Sequence, residues 1–306
     1  MSGSRSSFVT TTDRERTGTT RKGRPTLQVT SSGADFDGKD GTVEMRISMF
    51  GVLSVHDQGR TVQGKAIGGS KPRGLLELLL LARGRPVMKE ALADALWPQG
   101  HDVPRDPIRT LEQYVCVLRQ RLCSDQERAR LVFATGPNSY RIDTEQVDVD
   151  IDHFDLLVRT AEQSDTTARR ALLSEAVGIA RADLLADSMY ASWASVDRDL
   201  YRDRVARAHL WLASSYLQEG DLHLAIRHAE EAIRFAPFSE RAYRSLMVAN
   251  YGLGLDDMAR SAFRRCRAAL ATGVDLDLTS ETVAVFAAID AGAPFGELIA
   301  MAPARV

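Results

Sequence analysis

Cysteine is scarce in this 306-residue chain, and long apolar runs are missing. The three cysteines, Cys116, Cys123 and Cys266, cannot form a disulfide framework, and no histidine or cysteine stands at metal-ligand spacing from them. Reduced cysteines are therefore expected, as is usual in the cytoplasm. Spanning a membrane takes a run of about 18 apolar residues, and the apolar runs here, such as Leu78 to Ala82, are far shorter. We expect a cytoplasmic protein with no signal peptide and no membrane partner.

The sequence also lacks a recognisable catalytic or metal-binding constellation. Its six histidines are scattered, and His223 and His228 fall on different faces of any helix that contains both. Gly59 to Lys65 has the spacing of a phosphate-binding P-loop, but Ala66 replaces the hydroxyl residue that would hold magnesium, and no buried strand leads into the segment. We therefore expect neither enzymatic activity nor a bound cofactor or metal. A nucleotide-using enzyme is an alternative that rests on this segment alone.

Charge is nearly balanced over the whole chain, with a formal net charge of −2, but it is unevenly distributed. Residues 45–142 carry 15 Lys and Arg against 9 Asp and Glu. Residues 143–306 carry 17 against 26. A basic first part suits contact with phosphates, and an acidic second part suits a different partner.

The first 44 residues have the composition of a disordered extension. They are rich in Ser, Thr, Gly, Asp and Arg and show no periodic apolar pattern. The alternative is that translation begins at Met45, where the patterned sequence starts. From there, residues 46–67 alternate as strands do around the turn His56-Asp57-Gln58-Gly59, which predicts a small antiparallel sheet.

Three helices and a hairpin are predicted after this sheet. Leucine-rich residues 70–82 predict a mostly buried first helix, and residues 88–97 predict a second. A third helix over residues 105–122 follows the loop Pro98 to Pro104. The segments LVFAT and YRI predict two short strands around a turn at residues 136–139. This order indicates a helix-turn-helix variant whose closing hairpin is a wing.

The third helix has the pattern of a helix that reads a DNA groove. Its apolar residues recur at steps of three and four and form one stripe: Ile108, Leu111, Val115, Leu118 and Leu122. Arg and Gln on the other side carry groups that can read base edges. An ordinary surface helix is the alternative interpretation. The candidate DNA-binding residues are Lys89, Arg105, Arg109, Thr110, Gln113, Tyr114, Cys116, Arg119, Arg121, Thr135, Asn138 and Arg141.

Residues 45–142 resemble the DNA-binding domain of the Streptomyces antibiotic regulatory protein family. The resemblance is carried by MRISMFGVLSV, GGSKPRGLLELLLL, ALADALWP, RTLEQYVCVLRQRL and YRI. It implies a winged helix with the helix around Gln113 and Tyr114 in the major groove. It also implies that the loop Pro98 to Pro104 faces the sigma factor region of RNA polymerase holoenzyme. Two departures concern the wing: Thr135 stands where the family usually has Arg, and Asn138-Ser139 replaces a shorter tip that contains Gly.

Residues 148–300 show helical periodicity throughout, and part of the pattern repeats. A tetratricopeptide-like spacing is met by His209, Leu212, Ala213, Tyr216, Ala225, Ala229, Ala232 and Pro237. A shift of about 34 residues leads to a second set: Tyr243, Leu246, Ala259, Phe263 and Cys266. Small residues at these positions let paired helices approach, so the pattern predicts a compact stack of helices.

This second region resembles the bacterial transcriptional activation domain that follows the winged helix in the same family. DIDHFDLL, WASVDRDLYRDRVARAHLWLASSYLQEGDLHLAI and PFSERAYRSLMVANYGLGLDDMARSAFRRCRAAL carry the likeness. The expected fold is mostly α: an N-terminal α+β winged helix of the response-regulator type, then an all-α, tetratricopeptide-like helical domain. The expected boundaries are 1–44 for the extension, 45–145 for the winged helix, 146–292 for the helical domain and 293–306 for a C-terminal tail.

The two resemblances in this order imply a sequence-specific transcriptional activator. They imply a nucleoid-associated homodimer that binds direct repeats in double-stranded promoter DNA, recruits RNA polymerase and controls a specialised-metabolite (antibiotic) gene cluster. The alternative is a protein-interaction adaptor whose helical repeats bind a peptide and whose winged helix is a dimer surface. The two interpretations differ in whether Lys89, Arg109, Arg119 and Arg141 form one continuous basic face.

Overall fold

The computed structural model describes residues 45–98, 103–274 and 276–302. The predicted extension, residues 1–44, lies outside the described residues, and so do residues 99–102 of the loop expected to face RNA polymerase. The expected fold class is confirmed, because an N-terminal winged helix is followed by a helical region. Residues 45–142 are called the winged-helix part below, and residues 150–302 the helical part. Strands and helices are numbered in chain order.

A four-stranded sheet opens the winged-helix part. The strands β1 (Met45–Ser48), β2 (Ser54–Asp57) and β3 (Arg60–Gln63) form the predicted antiparallel sheet. The fourth strand, β7 (Val147–Val149), comes from beyond the wing and pairs in parallel with β1. The sheet is therefore complete only when the chain reaches the start of the helical part.

The three predicted helices follow, as α1 (Ser70–Leu81), α2 (Lys89–Leu96) and α3 (Pro107–Leu122). Leu75, Leu76 and Leu79 bury the inner face of α1 in the core. A two-residue strand, β4 (Val87–Met88), precedes α2 and pairs with the wing. The start of α2 is therefore fixed to the wing through backbone hydrogen bonds.

The wing differs from the prediction at its first strand. The segment LVFAT is predicted to be extended, but its first two residues end a short helix, α4 (Gln126–Val132). Asp125 caps α4 by accepting a hydrogen bond from the backbone N–H of Arg128 at 2.8 Å. The wing consists of β5 (Phe133–Thr135) and β6 (Ser139–Ile142), so its first strand is shorter than predicted.

The described residues of the helical part contain eight α-helices. They are α5 (Asp150–Glu162), α6 (Thr166–Ile179), α7 (Ser195–Glu219), α8 (Leu222–Phe235), α9 (Glu240–Gly252), α10 (Asp256–Gly273), α11 (Ser280–Asp290) and α12 (Phe295–Met301). Ala225, Ala229 and Ala259 are buried where the repeat spacing places small residues, while the tetratricopeptide assignment itself stays a prediction. The segment expected to be a C-terminal tail, residues 293–306, contains helix α12. This helix packs on the helical part through Leu298, which is buried in its core. Within the described residues, no helix combines the length and the apolar character that crossing a membrane requires.

One hydrophobic cluster extends from the winged-helix part into the helical part. Asp150, the first residue of α5, is buried, and its carboxylate accepts hydrogen bonds from the backbone N–H groups of Met49 at 2.8 Å and Phe50 at 3.0 Å. Burial raises the pKa of the Asp150 carboxyl to about 6, against the lowering effect of these hydrogen bonds. The ring of Phe50 packs edge-on against Phe154 and Tyr201. The loop between β1 and β2 is thereby fixed to the helical part.

Helix α1 makes a second contact with the helical part through Glu77. This carboxylate is fully buried and accepts hydrogen bonds from Ser188 Oγ at 2.5 Å and from Trp193 Nε1 at 3.1 Å. Burial raises the pKa of the Glu77 carboxyl, and the two hydrogen bonds partly oppose that rise. The Trp193 ring fills the space above Gly74, where a Cβ atom would stand 2.9 Å from Trp193 Cζ2.

A third contact surrounds Asp155 of α5. Its carboxylate accepts hydrogen bonds from Arg83 Nη2 at 3.0 Å and from the Tyr201 hydroxyl at 2.9 Å. Arg204 Nη1 reaches the other carboxylate oxygen at 2.5 Å. One carboxylate of the helical part therefore joins the end of α1 to α7.

Candidate nucleic-acid interface

Helix α3 is held in place by its first turn and by its apolar stripe. Asp106 is the N-cap, and its side chain accepts a hydrogen bond from the backbone N–H of Arg109 at 2.9 Å. Pro107 occupies the first helical turn, where a missing N–H costs nothing. The stripe residues Leu111, Val115, Leu118 and Leu122 are buried, as the periodicity predicts.

Burial on one side leaves a continuous exposed stripe on the opposite side of α3. Arg109, Gln113, Cys116 and Gln120 are all exposed, and their spacing of three and four residues puts them on one face. Among the described residues, the side chains of Arg109 and Gln113 make no hydrogen bond or ion pair with the protein. These four residues are called the α3 face below. The polar groups of Arg109 and Gln113 are available to a partner, whereas Gln120 Nε2 donates to Cys116 Sγ at 3.5 Å.

The α3 face includes one residue that the sequence interpretation missed and leaves out four residues of α3 that it proposed, namely Thr110, Tyr114, Arg119 and Arg121. Gln120 lies seven residues after Gln113, so the same periodicity could have identified it. Thr110 is half-buried, and its hydroxyl donates to the Asp106 carbonyl at 2.8 Å. Tyr114 is also half-buried and packs near the ring of Trp97, with ring centroids 6.1 Å apart. Both residues flank the face rather than forming its centre.

Lys89, proposed as a phosphate contact, is bonded within the protein. It is 8% exposed, and its Nζ lies 2.7 Å from Glu112 Oε1 on α3. The hydrogen bond to Glu112 raises the pKa of Lys89. Its ammonium also lies 5.2 Å from the centre of the Tyr140 ring on the wing. Lys89 therefore joins α2, α3 and the wing at one point.

Two arginines at the end of α3 are likewise bonded to neighbouring elements. Arg119 Nη2 donates to the carbonyl of Phe133 and, at 2.8 Å, to the hydroxyl of Thr135, which brings two proposed DNA contacts together on the wing. Arg121 Nη1 donates to the carbonyl of Ala66 at 3.1 Å, in the 3-10 turn after β3. Both side chains position α3 in this structure.

Two of the proposed contacts on the wing differ in their hydrogen bonding. Asn138 Nδ2 donates to the two carboxylate oxygens of Glu90 at 2.9 and 3.0 Å. The backbone carbonyl of Asn138 accepts a hydrogen bond from the Lys89 backbone N–H at 3.0 Å. Arg141 is exposed on β6, with Asp143 at 3.6 Å. Arg105 is exposed just before α3. Arg105, Arg109, Arg121 and Arg141 are thus the exposed cations among the proposed contacts, and of these Arg121 is hydrogen-bonded to the carbonyl of Ala66.

The structure does not give the P-loop-like segment Gly59 to Lys65 the backbone shape of a nucleotide-binding site. Gly59 to Lys65 forms strand β3 and the start of a 3-10 turn, and no α-helix begins at Lys65. A P-loop needs a helix there to present its amides to phosphate. Within the parts of the chain that the structure describes, no group of three or more His, Cys, Asp or Glu side chains could hold a metal ion.

The architecture defines the class of protein once it is compared with known families. Residues 66–142 match the family described as transcriptional regulatory protein, C terminal, and residues 149–290 match the bacterial transcriptional activator domain. The protein is a DNA-binding transcriptional regulator and not an enzyme. This pair of domains is the signature of the Streptomyces antibiotic regulatory protein family, and the chain carries both domains in that order.

Individual relatives are also transcriptional regulatory proteins. The chain is 24% identical over 266 residues to MoaR1 of Mycobacterium tuberculosis, covering 83% of this chain and 82% of that protein. It is 28% identical over 247 residues to EmbR of Mycobacterium tuberculosis, covering 77% of this chain and 61% of that protein. A solved structure of Mycobacterium tuberculosis EmbR in complex with a low affinity phosphopeptide has a TM-score of 0.67 at 23% identity. It covers 85% of this chain and 69% of that one, and this likeness shows the fold.

Proposed function

We propose that this protein is a sequence-specific activator that reads promoter DNA with the α3 face. The supporting observation is that Arg109 and Gln113 are exposed on one face, while the cations around them position the helix. Arg is suited to guanine edges and Gln to adenine edges in the major groove. An α-helix with such a face fits the width of that groove.

Phosphate contacts come from the exposed cations beside the α3 face. Arg105 precedes the helix and Arg141 lies on the wing, so the two flank the groove-reading residues on different elements. Contacts of this kind set the register of the protein on the duplex and give binding its salt dependence. Lys89 and Arg119 contribute by holding α2, α3 and the wing in one arrangement, because their charges are already paired or hydrogen-bonded.

The proposal extends to the assembly on the promoter. A homodimer places one DNA-binding domain, with the proposed bounds 45–145, on each of two direct repeats. The activation domain, with the proposed bounds 146–292, pairs the subunits or contacts other partners. The loop Pro98 to Pro104 touches the sigma factor region of RNA polymerase. The regulated genes form a specialised-metabolite (antibiotic) cluster, and the protein is nucleoid-associated. Family membership supports these statements, and each is separately testable.

A gel-shift experiment with the full chain tests the DNA contact. DNA from upstream of the neighbouring genes is titrated at two salt concentrations with unrelated competitor DNA. We expect a competitor-resistant shift that weakens steeply with salt. Gln113→Ala should cost about 1–3 kcal/mol at the preferred site, which is about 5- to 150-fold in Kd. Gln218→Ala, an exposed glutamine of α7, is the matched control and should bind as the wild type does.

Two outcomes would contradict this proposal. Unchanged affinity and unchanged sequence preference in Gln113→Ala would mean that the α3 face does not lie in the groove. A shift that competitor DNA erases at both salt concentrations would favour the adaptor alternative, in which the helical part carries the binding activity.

A further inference from the structure

A cleft of about 650 Å³ opens between α5, α6 and α7 of the helical part. Its volume lies within the range of small-molecule pockets, about 300–1,000 Å³. It is separate from the α3 face, since all its lining residues lie between residues 158 and 211. Nothing in the proposed DNA contact uses it.

The cleft has an apolar floor made of small side chains. Ala161 of α5 and Ala208 of α7 are buried there, together with Leu173 of α6. Trp211 forms a flat side wall and is partly buried. Alanines on two facing helices leave room that larger side chains would fill, so the floor can accept a flat or chain-like apolar body.

The charge in the cleft is concentrated in arginines, of which one lacks a counter-ion. Arg204 is bonded to Asp155, and Arg207 is paired with Asp203. Arg169 instead lies over the Trp211 ring, with its guanidinium carbon 4.8 Å from the ring centre. Its Nε is buried without a hydrogen-bond partner, and no carboxylate pairs with it among the residues that the structure describes. Glu162 is the carboxylate in the lining, and it is exposed.

We propose that this cleft binds a small organic anion with a flat apolar body, such as an aromatic carboxylate, and that Arg169 holds its acid group. A guanidinium that stacks on an indole and lacks a carboxylate can make a charge-assisted, two-pronged hydrogen bond to an incoming acid. Trp211 and the floor residues then cover the apolar body. A neutral ligand cannot make this charge-assisted bond, so the cleft should prefer the acid.

Two fluorescent probes of nearly the same shape test the proposal on the full chain. Anilinonaphthalene sulfonate has a flat apolar body and an acid group, and N-phenylnaphthylamine has the same body without the acid. We expect saturable binding of one sulfonate probe per chain and weak binding of the neutral probe. Arg169→Met should raise the Kd of the sulfonate probe by about tenfold or more. Arg159→Met removes a charge from an exposed position on α5 outside the lining and should leave that Kd unchanged.

A second variant tests the site without changing the charge of the protein. Trp211 lies in the cleft wall, whereas Trp97 and Trp193 belong to other parts of the fold. Trp211→Ala should therefore weaken the binding of the sulfonate probe, because the flat wall that covers its apolar body is lost. Far-ultraviolet circular dichroism and thermal melting confirm that each variant is folded.

Four results would overturn the proposal. The first two are the absence of saturable binding to the wild type and an equal loss of affinity in Arg169→Met and Arg159→Met. The other two are equal affinity for the charged and the neutral probe, and unchanged affinity for the sulfonate probe in Trp211→Ala, which would place the probe elsewhere.

Discussion

Acidification is expected to destabilise the contact between α7 and α8, because two buried histidines meet there. The Nδ1 atoms of His209 and His228 are 3.0 Å apart, and the two residues are 6% and 3% exposed. A hydrogen bond between these atoms needs one ring to donate and the other to accept, so the pair is neutral in the folded protein. Burial lowers the pKa of His209 to about 3 and that of His228 to about 4, with nearby Arg227 adding to both shifts.

The magnitude follows from the protons that unfolding takes up. In the unfolded chain each histidine titrates near its ordinary pKa of about 6.5, while the folded pair stays neutral until much lower pH. The pair's full contribution to stability is therefore present above the unfolded pKa and is lost as the pH falls toward the folded values. Two protons correspond to about 2.7 kcal/mol per pH unit in this window, or about 4 kcal/mol between about pH 7.5 and about pH 5.

Urea unfolding at a series of pH values measures this loss directly. The double variant His209→Phe with His228→Leu should have a flatter pH dependence, whatever its stability at neutral pH, because it no longer takes up these protons. His223→Gln, at an exposed position of the same helix, should keep the wild-type slope. Parallel slopes for the wild type and the double variant would contradict this prediction, because they would show that the histidines are not held neutral.

Three other substitutions test contacts that hold the fold together. Asp150→Ala should cost about 2–5 kcal/mol, because two buried N–H groups of the loop between β1 and β2 lose their acceptor; a urea midpoint within error of the wild type would contradict this. Trp193→Ala should cost about 3 kcal/mol through lost packing and the lost hydrogen bond to Glu77, and a thermal melt that shows no shift would count against it. Asp106→Ala should cost about 1 kcal/mol through loss of the α3 N-cap, with urea unfolding as the measurement and Asp94→Ala, inside α2, as the comparison.

Local patterns in the sequence were sufficient to predict most individual elements. The apolar steps of α3 place the buried side correctly, since Leu111 and Val115 lie in the core and Arg109 and Gln113 do not. The two-residue alternation of the first strands likewise predicts the antiparallel sheet. Such patterns depend on residues close in sequence, and one buried face is enough to produce them.

Contacts between distant residues could not be predicted in this way. Val147 pairs with Met45 across the first sheet, and Glu112 pairs with Lys89 between helices. Neither pairing leaves a local pattern, so Lys89 is proposed from the sequence as a free cation while the structure pairs it. The helix α4 has only seven residues, and three of its interior positions are charged, so its residues give too weak a period to separate it from a strand.

The parallel pairing of β7 with β1 has a consequence for synthesis on the ribosome. The chain emerges from its N-terminal end, so β1 leaves the ribosome long before its partner strand does. Until β7 has been made, the backbone groups at that edge of β1 have no native partner. The backbone N–H groups that donate to the Asp150 carboxylate likewise have no acceptor until the start of α5 has been made. Such long-range pairing also slows folding, because the intervening chain must close a large loop first. We expect the nascent winged helix to remain incomplete, and so without its native DNA-binding form, until translation has entered the helical part.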